Sequence, residues 1–310
     1  MKMTDRQFLP EGYNAGGAEC VRTISELVRA MERGSVLEGT VVRCDSADMS
    51  LHVDIGGMHG IIPREEAAYS TSGEVRDIAI ITRVGKRVAF TVKEIEHKGG
   101  AVLAHLSRRD VQKLCMEQYI SHLTPGDVIP VRVTHLEPFG AFVDIGAGIV
   151  SLASVDTLSV SRISHPSDRL SVGECGYAVV RSIDRECGRI YMSLRELYGT
   201  WEENAAAFSP GETVTGIVRS VEDYGIFVEL APNLAGLAEY RSGVKPGDGC
   251  AVYIKSMIPE RMKIKLVLID SFPNAQRRPA KLFIDPETTP HMDIWRYSPS
   301  GCPKIIETVF

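Results

Sequence analysis

One segment pattern is written three times in this chain, and self-similarity at a domain-sized period means an array of like modules. Residues 126–146 read GDVIPVRVTHLEPFGAFVDIG, and residues 211–230 read GETVTGIVRSVEDYGIFVEL, aligned without a gap. A weaker copy, GSVLEGTVVRCDSADMSLHVDIG, starts at Gly34. The second half of the unit repeats as well: GECGYAVVRSIDRECGRIYMSL at 173–194 lies over GDGCAVYIKSMIPERMKIKLVL at 247–268, and 85–107 follows the same course with two extra residues. The functional question becomes what one module does and why it is needed in triplicate.

Within each unit the apolar residues alternate over short runs bounded by glycine or turn residues, the pattern of half-buried strands. In the third copy Val214, Gly216 and Val218 face inward while Thr213, Thr215 and Ile217 face out. Later strands are expected at 226–230, 234–237, 251–256 and 263–268, the last two joined by the turn Ile258-Pro259-Glu260. Five short strands without a long helix predict a closed Greek-key barrel of the OB type. The fold class is therefore all-β: three tandem five-stranded OB-fold barrels with short helical linkers and a small β-rich C-terminal extension.

The expected division is an N-terminal segment with a short helix at 1–33, barrels at 34–107, 125–195 and 210–270, helical linkers at 108–124 and 196–209, and the extension at 271–310. In the first segment TISELVRAME (23–32) reads as an amphipathic helix capped by Ser25 or Thr23. Arg108 to Leu123 places Val111, Leu114 or Cys115, and Gln118 or Tyr119 at helical spacing, and Arg195 to Phe208 does the same with Leu197, Trp201, Ala205 and Phe208. Trp201 reads as a packing anchor rather than a stacking platform. After a linker at 273–279, the runs 281–284, 293–297 and 304–309 look like strands between proline-rich turns. Trp295 and Tyr297 have the parity to share one face, which allows stacking but favours packing on the third barrel.

No stretch approaches the roughly eighteen apolar residues of a membrane span, and the N-terminal MKMTDRQFLPEG lacks the layout of a signal peptide. A soluble, cytoplasmic protein with no membrane partner is expected. Its seven cysteines (Cys20, Cys44, Cys115, Cys175, Cys187, Cys250, Cys302) are scattered and never spaced C-x-x-C, and its eight histidines are equally dispersed. Reduced thiols, no disulfide, no metal and no cofactor follow. With a net charge of −5, the chain is not built to grip duplex DNA by bulk charge; nucleic-acid binding must rest on local patches and stacking.

The most informative piece of the module is Phe139-Gly140-Ala141-Phe142-Val143-Asp144 and its copy Tyr224-Gly225-Ile226-Phe227-Val228-Glu229. In a regular strand residues i and i+3 point to opposite faces, so two rings at that spacing should not share a surface. A glycine between them permits a bulge that flips the parity and brings both rings to one outer face, leaving Val143 and Ile145 in the core. Base stacking explains paired exposed rings, each stack contributing roughly 1–3 kcal/mol. The structural alternative is that one ring of each pair caps the barrel core.

A second constellation is cationic. Lys93, Arg181 and Lys255 end the expected fourth strand of the three copies, and Arg189 and Lys263 open the fifth strand of copies two and three. Edge cations commonly serve only to deter sheet-to-sheet pairing. Their recurrence beside the aromatic strand makes them candidates for phosphate contact. Copy two also has a long third loop, Val155 to Leu170, holding Arg162, His165 and Arg169.

These motifs, in this order, resemble the S1 RNA-binding domain family, whose second strand reads D-F-G-A-F-V-D and whose fifth reads R-I-x-L-S. The resemblance covers about three quarters of the chain, and the layout is similar to the shorter forms of ribosomal protein S1 in low-GC Gram-positive bacteria. It implies an RNA surface made of the two second-strand aromatics, a histidine ending the third strand and a basic residue on the fifth. Copy two supplies Phe139, Phe142 and Arg189 but has Ser154 in place of the histidine; copy three supplies Tyr224, Phe227 and Lys263 but has Glu239 there. Copy one departs further, with Met49, Ser50 and His52 at the Phe-Gly-Phe positions, Pro63 for the histidine and Leu103 for the cation, leaving Lys93. The resemblance assigns RNA binding to copies two and three, and contact with small ribosomal subunit proteins to copy one.

No phosphate-cradling glycine loop, H-E-x-x-H or nucleophile elbow is present, so no enzyme is expected. The main reading is a translation-associated binder of single-stranded RNA, such as mRNA, acting by stacking and local phosphate contacts. The competing reading is a ribosome-associated or RNA-metabolism scaffold whose barrels bind proteins, favoured by the acidic balance and by Glu239.

Overall fold

The computed structural model describes residues 8–13, 23–70, 75–98, 101–273 and 280–310. Cys20 and most of the 273–279 linker lie outside the described residues. Alternating burial dictates the strands: in β2 (Leu51–Ile55), which follows β1 (Leu37–Cys44), Leu51, Val53 and Ile55 are buried, while Asp54 faces solvent and His52 lies half-exposed between them. With β3 (Met58–Ile62), β4 (Arg87–Lys98) and β5 (Ala101–Ser107) they close a barrel in the order β1-β2-β3-β5-β4. The parallel pair β3 and β5 completes the ring, so no strand edge is left to template pairing with another chain.

The same construction recurs twice. β6 (Val128–Glu137), β7 (Gly140–Asp144), β8 (Val150–Ser154), β9 (Cys175–Asp184) and β10 (Arg189–Ser193) close the second barrel. β11 (Thr213–Glu222), β12 (Gly225–Ala231), β13 (Leu234–Ala238), β14 (Gly249–Ile258) and β15 (Lys263–Phe272) close the third. In β11 Gly216 and Val218 are buried and Thr213 and Thr215 exposed, as the alternation requires.

The helices are short connectors. α1 (Ile24–Arg33) is capped by Thr23, not Ser25: the Thr23 hydroxyl accepts from the Glu26 N–H while the Glu26 carboxylate accepts from the Thr23 N–H, a reciprocal capping box. α2 (Asp77–Ile81) spans the third-to-fourth strand connection of barrel one. α3 (Arg108–Gln118) starts at Ser107, whose hydroxyl accepts from the Asp110 N–H, and buries Val111 and Cys115. The second connector is not one helix. A 3-10 turn at Arg195–Tyr198 and α4 (Trp201–Ala205) are separated by Gly199 at φ +76°, a left-handed backbone that no helix continues through.

The C-terminal extension is smaller than its sequence pattern. Residues 281–284 form no strand; they take an irregular course in which Phe283 N–H bonds to the Leu197 carbonyl. Only β16 (Ile294–Arg296) and β17 (Glu307–Val309) pair, antiparallel. Trp295 and Tyr297 are 5% exposed and belong, with Trp201, to the third core, and the Tyr297 hydroxyl donates to the Asn233 carbonyl at 2.5 Å. Both rings therefore serve packing, which withdraws the stacking alternative for this pair.

By contact density the chain falls into two compact units, 1–123 with 130–132 and 144–150, and the remainder. In the first, the Arg108 guanidinium donates to both Glu11 carboxylate oxygens at 2.6 and 3.1 Å, and the Glu11 N–H donates to Asp144 at 2.7 Å. In the second, Glu229 is held by Arg169 and by Arg219 at 2.8 and 3.1 Å, and Arg219 also pairs with Asp168 at 3.0 Å. Glu229 and Arg169 are both nearly inaccessible, so loss of either partner would strand a buried charge.

Among the described residues no helix is long and apolar enough to cross a membrane, and no group of three or more His, Cys, Asp or Glu is placed to hold a metal ion.

Burial, with the Glu11 carboxylate nearby, pushes the Asp144 carboxyl up to about 7. The native state thus keeps a proton that the unfolded chain loses near the ordinary carboxylate range, so Asp144's contribution to stability falls as pH rises from about 4 to 7. Replacing Asp144 by Asn should flatten the pH dependence of the first unit's denaturation midpoint across that interval, measured by urea melts at several pH values. Glu229→Ala should lower the stability of the second unit by about 3–5 kcal/mol in the same assay, because it leaves Arg169 and Arg219 buried without their shared carboxylate.

Candidate nucleic-acid interface

The paired rings do share one outer face. Phe139 and Phe142 stand edge to face with centroids 6.0 Å apart, and Tyr224 and Phe227 repeat the arrangement at 6.1 Å. The first ring of each pair is open, Phe139 at 55% and Tyr224 at 70% exposure, and the second is half-buried. The route differs from the bulge expected at the glycine. Phe139 and Tyr224 lie in the hairpin turn before the strand, where the alternation of strand faces does not apply. In barrel three the first-strand bulge falls on β11 at Arg219, between Val218 and Ser220.

The glycine has another function, which is to let two backbones approach. A Cβ on Gly140 would lie 2.5 Å from the Ala153 carbonyl oxygen, and one on Gly225 2.5 Å from that of Ala238. Gly225 also has φ +151°, a backbone that side-chain-bearing residues rarely adopt.

The fourth-strand cations are not at strand ends either. In each barrel this strand runs on past them, and each cation is the extra residue of a β-bulge: Lys93 between Val92 and Glu94, Arg181 between Val180 and Ser182, Lys255 between Ile254 and Ser256. Arg181 is half-buried and Lys255 exposed. Lys93 is engaged with Asp110 at 2.5 Å, a bond that raises its pKa and offsets its charge on barrel one.

The bulges phase the strands so that one row of outward residues crosses all five. In barrel three the row runs Ser220, Phe227, Leu237, Lys265 and Ser256, each paired to the next. Barrel two carries Leu152, Tyr191 and Ser182 in the corresponding pairs, with His135 stacked on Phe142 at 6.3 Å. Barrel one carries Arg43, His52, Ile61, His105 and Glu94. There His52 stacks on His59 at 5.1 Å and meets Arg43 at 2.9 Å, and burial, with the Arg43 charge, lowers its pKa. Met49 sits in a left-handed turn at φ +60°, so barrel one has no ring where Phe139 and Tyr224 stand.

The other candidates separate. Arg189 and Lys263 are exposed at the first residues of β10 and β15; Arg189 opposes Asp184, whose carboxyl is held low by the Cys187 N–H. Arg162 is exposed on the third loop of barrel two. The His165 Nδ1 accepts from the Ser167 N–H and caps a 3-10 turn. The rest of that loop docks on barrel three through Arg169 and through Val160 N–H to Asn233. Leu152, Tyr191, Leu237 and Lys265 were missed in sequence; the signal was alternation on the fifth strand, where the residue two beyond Arg189 or Lys263 must share its face.

By fold the chain is a tandem array of three closed five-stranded barrels. The model of the S1 RNA binding domain matches residues 31–106 and 122–195. It is 28% identical to small ribosomal subunit protein bS1 of Staphylococcus aureus over 83% of this chain and 67% of that protein. To the protein of the same name from Leuconostoc lactis it is 29% identical over 81% of this chain, spanning 61% of the relative's length. A solved multidomain protein with nucleic acid binding domains from Streptococcus pneumoniae aligns at 16% identity over 76% of this chain and 74% of that one, with a TM-score of 0.25.

Gly140→Ala should cost about 1–3 kcal/mol through the clash with the Ala153 carbonyl and should displace the Phe139 turn. Thermal melting, together with protease sensitivity at the 138–139 turn, measures both effects.

Proposed function

We propose that this protein binds single-stranded RNA in translation, in association with the small ribosomal subunit, and that barrels two and three hold the RNA. The observation that carries the reading is the edge-to-face pair of exposed rings, built twice at equivalent positions. Such rings offer bases a stacking surface that is tolerant of sequence, and Arg181, Arg189, Lys255 and Lys263 are the cations proposed to meet the RNA backbone. Arg162, exposed on the third loop of barrel two, is a further candidate for a phosphate contact. The S1 family match and the bS1 name of the relatives support the same reading.

Barrel one is assigned to protein contact on the subunit. Its row lacks the first ring, and the charge of Lys93 is offset by Asp110. A second reading, in which all three barrels serve as protein scaffolds, draws on the exposed Glu239 beyond β13, a carboxylate that repels phosphate.

Fluorescence-anisotropy titration of a labelled unstructured RNA distinguishes the two. The Phe139→Ala/Phe142→Ala variant should lose on the order of tenfold or more in affinity with little change in salt slope. Absence of wild-type binding, or binding indifferent to these substitutions, would favour the scaffold.

A further inference from the structure

The fifth-strand residue that completes the outward row differs in kind between the two RNA-facing barrels. In barrel two it is Tyr191, opposed by Leu152 on one side and Ser182 on the other. In barrel three it is Lys265, opposed by Leu237 and Ser256. The surroundings differ in the same sense. Tyr191 pairs with Leu152 as Lys265 pairs with Leu237, which in barrel three is paired in turn to Phe227, so Tyr191 corresponds to the row of Phe142, and Phe142 contacts both Phe139 and His135. Lys265 shares its face with Lys263, and Lys255 stands at the neighbouring bulge; all three lysines are exposed.

We propose that the two barrels hold RNA by different means: barrel two chiefly by stacking bases, with Tyr191 as a third ring beyond the Phe139 and Phe142 pair, and barrel three chiefly by contacting phosphates through Lys255, Lys263 and Lys265. The inference rests on the RNA-binding reading above and deepens it.

The physical basis is the different currency of the two contacts. A ring stacked on a base releases few counterions, so its contribution is nearly independent of salt. An ammonium on a phosphate releases condensed counterions, and each such contact steepens the salt dependence of single-strand binding by about 0.7 in log–log slope. Glu239, exposed just past β13, disfavours a phosphate at that edge and leaves β14 and β15, where the lysines lie, as the path of the backbone. Two neighbouring sites of unlike chemistry would grip a strand over a range of salt in which either alone would weaken.

The test uses the full chain and a fluorescently labelled oligouridylate, titrated at several salt concentrations. Tyr191→Leu, which keeps apolar bulk without the ring, should weaken binding roughly tenfold with the salt slope unchanged, and Tyr191→Phe should restore it. Lys265→Gln should make the slope shallower by about 0.7, and Lys265→Arg should restore it. Both positions lie on the outer face, and unchanged thermal midpoints confirm that each variant is folded. Wild-type binding with Tyr191→Leu within twofold of wild type, or with a slope unmoved by Lys265→Gln, would overturn the division of labour while leaving RNA binding intact. Failure of the wild type to bind would overturn both readings together.

Discussion

A five-stranded sheet can close on itself only if its longer strands bend, and that requirement organises each module of this protein. The bends are β-bulges, found on the fourth strand of all three barrels at Lys93, Arg181 and Lys255 and on the first strand of barrels one and three at Val42 and Arg219. A bulge leaves its extra residue outside the ladder and resets the alternation beyond it. Closure and surface chemistry are thus coupled: the residue that lets the strand turn is also the one released to meet a ligand or a neighbouring charge. In barrel three Arg219 takes up that freedom to hold Glu229, while Lys255 keeps it for the outer face.

The carboxylates late in the second strands show a parallel economy of design. Asp144 and Glu229 occupy the same place in the repeat and are both buried, yet they are satisfied by different partners: Asp144 by the N–H groups of Glu11 and Gly146, Glu229 by two guanidinium groups. Asp54, the counterpart in barrel one, stays on the surface and accepts from the Gly57 N–H. A repeated residue therefore need not have a repeated role. The same holds for the outward row, where one register position carries His105, Tyr191 or Lys265 on an otherwise common frame.

Much of this was legible in sequence because it depends on short-range pattern. Alternation placed the strands of the third copy within a few residues, and the ring pairs read as exposed because a bulge at the intervening glycine would bring both to one face and the pair recurs in two copies. The mechanism behind the ring geometry was not legible. Gly140 and Gly225 are required by the carbonyls of Ala153 and Ala238, which belong to another strand, and no local feature announces that approach.

The sequence by itself determined the number of modules, their all-β class and the aromatic character of two faces, since each follows from repetition and from the period-two alternation of a strand. Tertiary structure alone decided which residues stand side by side on those faces. Tyr191 joins the Phe142 row, Lys93 is tied to Asp110 and Arg169 is consumed by Glu229, because cross-strand register and the docking of loops bring together residues that are distant in the chain, and pairings of that kind leave no trace in local composition.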